Sequence, residues 1–297
     1  MLQSSRGTRR RRGVSVISPA PETFDHDREI GALFDSILNE FKAQAGPSCE
    51  SSDMEYTFGV LFAVLGDRER AIGYLESALG AKPDHAAARY CLGVLHGDAG
   101  NYRDAVRELE RARATFPMTV HLARELGRAL GGLGEVDAAV ATYRAAIERA
   151  GAEGDTYLLR QELGRLYHEQ KKYAQSAEEL ELARRRNPSD PSLRVNLGAA
   201  YLGGGRLEDA AAEFEAALAI KPDLLSALRN LGVLYLRSGR LEDAVGVLSR
   251  AAILDPGDAR THRRLALACD ARGMEEEAER HMRAALEIES NAGRSER

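Results

Sequence analysis

An all-α solenoid of antiparallel helix pairs is the fold class this sequence predicts, and two observations carry the prediction. The first is a 34-residue sentence spelled twice between Pro191 and Pro256. Asn196-Leu197-Gly198-Ala199-Ala200-Tyr201, then Gly205 to Ala210, Phe214, Ala217 and Pro222, return as Asn230 to Tyr235, Gly239 to Ala244, Leu248, Ala251 and Pro256. Self-similarity at a fixed period of roughly 20–50 residues marks a stack of supersecondary units. The second is composition: apolar residues make up 44% and aromatics only 6%, with no Trp. A core of abundant Ala and Leu suits helices with close axes.

The same composition excludes several functions. A net charge of −5 over 297 residues gives no overall basic field, which argues against nucleic acid as a partner. Cys49, Cys91 and Cys269 are an odd number without CxxC spacing, so they indicate neither a disulfide framework nor a zinc knuckle. No apolar run approaches the roughly 18 residues of a membrane span, and the stretch Val14 to Pro19 is too short for a signal-peptide core. A reducing, cytoplasmic location is the expectation.

Taken in order, residues 1–22 hold Arg6 and the run Arg9 to Arg12 among Ser, Gly and Pro without periodicity, the pattern of a disordered tail. Over residues 23–47, Ile30, Leu33, Phe34, Ile37, Leu38 and Phe41 fall on one helical stripe that Gly46-Pro47 ends. This helix lacks the repeat's landmarks. It is expected to cap the array, to dock or dimerise, or to lie in the array's own groove. The repeat frame then places units at 52–85, 86–119, 120–156, 157–190, 191–224, 225–258 and 259–292, with a tail at 293–297. The third unit contains an insertion near Gly151 to Asp155, where the frame slips by three residues. The seventh is weaker: Cys269 takes the Tyr place, Met282 the Phe place and Ser290 the Pro place.

Each unit reads as two helices. Glycine stops the first, at Gly66, Gly100, Gly134, Gly205, Gly239 and Gly273, because it tolerates the left-handed backbone that ends a helix. The second carries Ala, an apolar residue and Ala on one face, as in Ala210, Phe214 and Ala217, and Pro follows it. Gly198, Ala210 and Ala217 are small where two backbones approach, with Tyr201 and Phe214 filling the space beside them.

These residues resemble the tetratricopeptide repeat, whose pattern of Leu-Gly, Tyr, Ala, Phe, Ala and Pro is reproduced from Leu197 to Pro222. The match covers about Ser52 to Ala292, with Arg194, Leu228 and His262 where the family's first helix often has Trp. The resemblance implies a right-handed superhelix whose first helices line a groove for a peptide or partner protein. Its lining is expected to run from Tyr56, Val60, Tyr90, Cys91 and Val94, through Arg124, Glu125, Arg128, Gln161, Glu162, Arg165 and His168, to Asn196, Arg229, Asn230, Arg237, Arg260, Arg263 and Arg264.

Asn196 and Asn230 occupy equivalent places one unit apart, and each amide both donates to and accepts from an extended backbone. Clustered arginines bind carboxylates two-pointed, which favours an acidic partner. Some family members clamp a C-terminal carboxylate with five residues; Asn230, Arg260 and Arg264 match three of them, while Val195 and Ala199 depart.

Catalytic motifs fail on inspection. His168-Glu169 begins a HExxH-like string, but Lys172 stands where the second His belongs. Gly203-Gly204-Gly205 falls at an interhelical turn without a preceding strand, and Cys91 and His96 share no helix face. The expectation is a non-catalytic scaffold or adaptor without cofactor or metal. The alternatives are a self-associating structural protein, joined through the 23–47 helix or the array's end, and a regulatory subunit of a separate enzyme.

Overall fold

A computed structural model describes residues 51–115, 119–151 and 154–295. The expected 1–22 tail with Arg9 to Arg12, the 23–47 helix, Cys49, Pro117 and the last two residues of the chain lie outside it. The described residues form α1 (Ser51–Val64), α2 (Arg68–Ala81), α3 (Ala86–Asp98), α4 (Tyr102–Thr115), α5 (Val120–Gly132), α6 (Val136–Ala150) and α7 (Tyr157–Glu169). They continue with α8 (Tyr173–Arg186), α9 (Pro191–Gly203), α10 (Leu207–Ile220), α11 (Leu225–Arg237), α12 (Leu241–Leu254), α13 (Ala259–Ala271) and α14 (Glu275–Ser295). The odd-numbered helices are the first members of seven pairs. α14 continues to Ser295, past the unit end expected at residue 292.

The hairpin inside each pair closes the same way. After α9 the chain turns at Gly205, φ 79°, and the Arg206 N–H bonds the Tyr201 carbonyl at 2.9 Å. This is the six-to-one bond of a Schellman cap, and only a left-handed residue permits it cheaply. The corresponding bond runs from Asp67 to Phe62, Asn101 to His96, Glu135 to Leu130, Lys172 to Tyr167, Arg240 to Tyr235 and Met274 to Cys269. The six predicted glycines all take this conformation, but in the fourth pair Lys171 does so, at φ 60°. The three-residue slip brings a lysine to the place glycine holds elsewhere.

Between the helices of a pair, a glycine meets a large side chain. A Cβ on Gly198 would lie 2.7 Å from Phe214, and one on Gly232 would lie 2.5 Å from Leu248. Real side chains do not approach so closely, so the missing methyl sets the spacing of the pair. The seventh pair has Ala266 opposite the flexible Met282. The alanines after the glycine turn are buried throughout, from Ala71 to Ala251, and where Ser176 replaces one its Oγ donates to the Gly164 carbonyl at 2.6 Å.

Stacking then buries the rest. Phe214 and Leu248 have no exposed surface, because the following pair's first helix covers them. Each first helix also touches the first helices before and after it, whereas among the described residues successive second helices do not touch. A row that touches while its companion row splays lies on the inside of the curve. The first helices therefore form the inner row, and their outward residues form its surface. Among the described residues no helix is long and apolar enough to cross a membrane.

Candidate functional site

Every predicted groove residue lies on a first helix, hence on the inner row: Arg124 and Arg128 on α5, Gln161 and Arg165 on α7, and Asn196 on α9. Arg229, Asn230 and Arg237 lie on α11, and Arg260, Arg263 and Arg264 on α13. Their surroundings divide them into two groups.

The first group is already paired. Glu125, only 7% exposed, takes Arg124 at 2.8 Å and Arg128 at 2.7 Å, and Arg128 reaches Asp98 of the preceding pair at 3.4 Å. Arg165 bonds Glu162 at 3.1 Å and Glu169 at 2.5 Å. Burial pulls the pKa of Arg128 and of Arg165 down, but the adjacent carboxylates outweigh it and hold both above the ordinary guanidinium value. Burial, followed by the charge of Glu162, pushes the Tyr143 phenol well up. Arg229 joins Asp255 at 2.6 Å and Asp258 at 3.0 Å, so it ties α11 to the loop before α13. Arg263 pairs with Glu289 of α14.

The second group is uncommitted. Among the described residues, Arg237, Arg260 and Arg264 make no ion pair, and Gln161, Asn196 and Asn230 make no side-chain hydrogen bond. Arg237 and Arg260 are exposed and Arg264 is half-buried. Arg237 is at the end of α11 and Arg260 and Arg264 are on the first half of α13, so the available basic charge gathers on the last two pairs.

Two hollows adjoin the first helices. One, of about 370 Å³, is apolar and includes Ala87, Tyr90, Ala112 and Leu122. The other, of about 480 Å³, spans α3, α5 and α7; Gly97 and Gly131 open it, and Glu125, Arg128, Glu162, Arg165 and Glu169 line it. The expected apolar-to-basic gradient therefore has a middle stretch in which arginines face equal or greater acidic charge.

Charge was arranged with a regularity that the sequence reading missed. In the place where the repeat often has Trp, Arg89 bonds Glu108 at 2.7 Å, Arg160 bonds Glu179 at 2.6 Å and Arg194 bonds Glu213 at 3.0 Å. Arg89 and Arg194 also donate to the carbonyls of Pro83 and Pro188. Each bond clips a first helix to its own second helix across 19 residues. Indexing charges by their place in the repeat would have revealed the pairs. The seventh pair substitutes two histidines: His262 Nδ1 lies 3.1 Å from His281 Nδ1, and its Nε2 lies 3.2 Å from the Pro256 carbonyl.

Comparison with known proteins places this architecture. Two family models match, both described as tetratricopeptide repeat, one over residues 56–96, 92–155 and 162–224 and the other over residues 201–263. No curated protein matches the chain by sequence. Among solved structures, a tetratricopeptide repeat protein from Parabacteroides merdae has a TM-score of 0.65 at 15% identity, covering 80% of this chain and 93% of its own. A chain of the APC/C hetero-tetramer Cut9–Hcn1 has a TM-score of 0.62 at 18% identity, covering 86% of this chain and 49% of its own. MamA from AMB-1 is 28% identical with a TM-score of 0.50, covering 57% of this chain and 99% of its own. The first two likenesses are likenesses of fold.

Proposed function

The chain belongs to the tetratricopeptide repeat family, and from that premise we propose that it is a non-catalytic scaffold whose inner row binds an acidic segment of a partner protein. One observation carries the acidic reading. The arginines of the first five pairs on this surface are spent on the chain's own carboxylates, while Arg237, Arg260 and Arg264 are not. Unspent guanidinium forks on one surface hold carboxylates with charge-assisted bonds. Asn196 and Asn230 lie along the same row and suit the partner's backbone amides. A cytoplasmic setting is consistent with this reading.

The test is fluorescence anisotropy of acidic peptides against the full chain and its Arg260→Ala/Arg264→Ala variant. Binding in the micromolar range should weaken by about 1.5–3 kcal/mol per charged hydrogen bond lost, and weaken further with salt. Equal affinity for both proteins, or indifference to salt, refutes the acidic partner.

A second reading, self-assembly through the array's end, is favoured by one feature of α14. Met282 and Leu286 are 42% and 56% exposed where equivalent side chains of earlier pairs are covered by the next first helix. Light scattering of the full chain at tens of micromolar decides between a monomer and an assembly.

A further inference from the structure

The hollow of about 480 Å³ between α3, α5 and α7 has its own charge logic. Its two arginines are each already held by two carboxylates. Arg128 gives Nη1 to Glu125 and Nη2 to Asp98, and Arg165 gives Nε to Glu162 and Nη1 to Glu169. Carboxylate acceptors remain: among the described residues, Glu162 Oε1, Glu169 Oε2 and Asp98 Oδ2 accept no hydrogen bond. Counting Asp98 and Arg124 with the lining, four carboxylates face three guanidinium groups.

This asymmetry decides which ligand charge enters at lower cost. An anion would compete for Arg128 with Glu125, which is only 7% exposed, and would leave that carboxylate less compensated where water reaches it poorly. A cation meets acceptors that no other group uses and breaks no existing pair. The walls suit the side chains that carry one. Gly97 and Gly131 leave room along the floor, Val94 offers apolar surface to a methylene stem, and the ring of Tyr102 adds an aromatic surface that attracts cations.

We infer that this hollow is a subsite for a lysine or arginine side chain of the partner segment. The inference rests on the proposed binding of that segment's acidic residues at α11 and α13. The partner thereby carries a basic residue at α3–α7 and acidic residues toward α13, with Asn196 between. A scaffold with this order rejects segments that are acidic throughout or basic throughout, since each would set like charges together at one end.

Four fluorescent peptides on one Gly-Ser backbone test it by anisotropy. One carries a Glu block and a single Arg, the second replaces that Arg by Gln, the third keeps the Arg without the Glu block and the fourth is its Gln match; each is made with the Arg or Gln on either side. The proteins are the full chain, Glu162→Gln/Glu169→Gln and Arg260→Ala/Arg264→Ala, with circular dichroism to establish that each is folded. The first peptide should bind the full chain about tenfold tighter than the second, and the Glu162→Gln/Glu169→Gln variant should erase that difference. It should leave the second peptide's affinity unreduced.

Equal binding of the first two peptides, with both weakened in Arg260→Ala/Arg264→Ala, overturns the subsite and leaves the acidic-partner reading standing. A preference for Arg in the third peptide over a matched Gln peptide that disappears in Glu162→Gln/Glu169→Gln, with no contribution from the Glu block, does the reverse. Absence of any Arg preference in either setting overturns the subsite outright.

Discussion

The contact of Gly198 with Phe214 shows how much of this array depends on an atom that is absent. The 2.7 Å that a Cβ would leave is too short, and Phe214 is fully buried between helices and cannot retreat. Gly198→Leu is expected to destabilise the chain by about 1–3 kcal/mol through overpacking, measured as a lower urea midpoint. An unchanged midpoint would mean that the pair spreads at little cost. Lys171 gives the opposite case. A side chain in the left-handed region costs about 1–2 kcal/mol, part of which glycine returns as extra freedom of the unfolded chain. Lys171→Gly should therefore stabilise by roughly 0.5–1 kcal/mol, read from the same denaturation curves. These turns and contacts were legible in the sequence because glycine has few other reasons to recur at a fixed place. The fates of Arg128 and Arg229 were not, because their partners, Asp98 on the preceding unit and Asp255 at the far end of Arg229's own unit, lie 30 and 26 residues away.

The helix pair is the unit at which the clips operate, and the seventh pair differs in chemistry from the others. Arg89 with Glu108 and Arg194 with Glu213 each join a guanidinium to a carboxylate, whereas His262 with His281 joins two imidazoles. His262 Nε2 faces the Pro256 carbonyl and so carries a proton, which leaves its Nδ1 to accept from His281 Nδ1–H. Two imidazolium rings cannot make that contact. Burial, then the charge of His262 and that of Arg280, holds His281 below the ordinary histidine value, with Glu277 opposing. Asp258, at the start of α13, is engaged by Arg229. Burial opposes its ionisation, but the bonds from Thr261 and the charge of Arg229 keep its carboxyl below the usual range.

A depressed histidine favours the neutral form in the folded state. Its stabilisation is complete above the unfolded value of about 6.5 and is lost as pH falls through the lower folded value. Hydrogen exchange, corrected for intrinsic rates, should show α13 and α14 losing protection between pH 7.5 and pH 5 while α9 and α10 keep theirs. His262→Arg/His281→Glu, which installs the clip of the second, fourth and fifth pairs, should remove that difference. Equal loss in all units would place the acid sensitivity elsewhere. The 19-residue spacing was present in the sequence, yet a lone Arg or His looks like surface until its repeat partner is identified.

At the scale of the whole molecule, every interhelical contact joins a pair to itself or to its neighbour. No helix of the seventh pair touches anything before α11 among the described residues. Stability is then close to a sum over units and interfaces, and the frame that the repeat supplied explains why the architecture could be read so fully from one chain. The inner surface could not, since it depends on which charges neutralise one another once the row is assembled. Additivity makes a direct prediction for a chain ending at Asp258. It should keep the helical signal of six pairs and unfold cooperatively, with a urea m-value lower by roughly a seventh, because m follows the surface exposed on unfolding. The new end would expose Leu248 and Leu231, now 0% and 2% exposed, so lower solubility should accompany retained fold. Loss of helical signal throughout the shortened chain would instead show that the seventh pair, with its histidines and its extended last helix, is needed to hold the whole row in place.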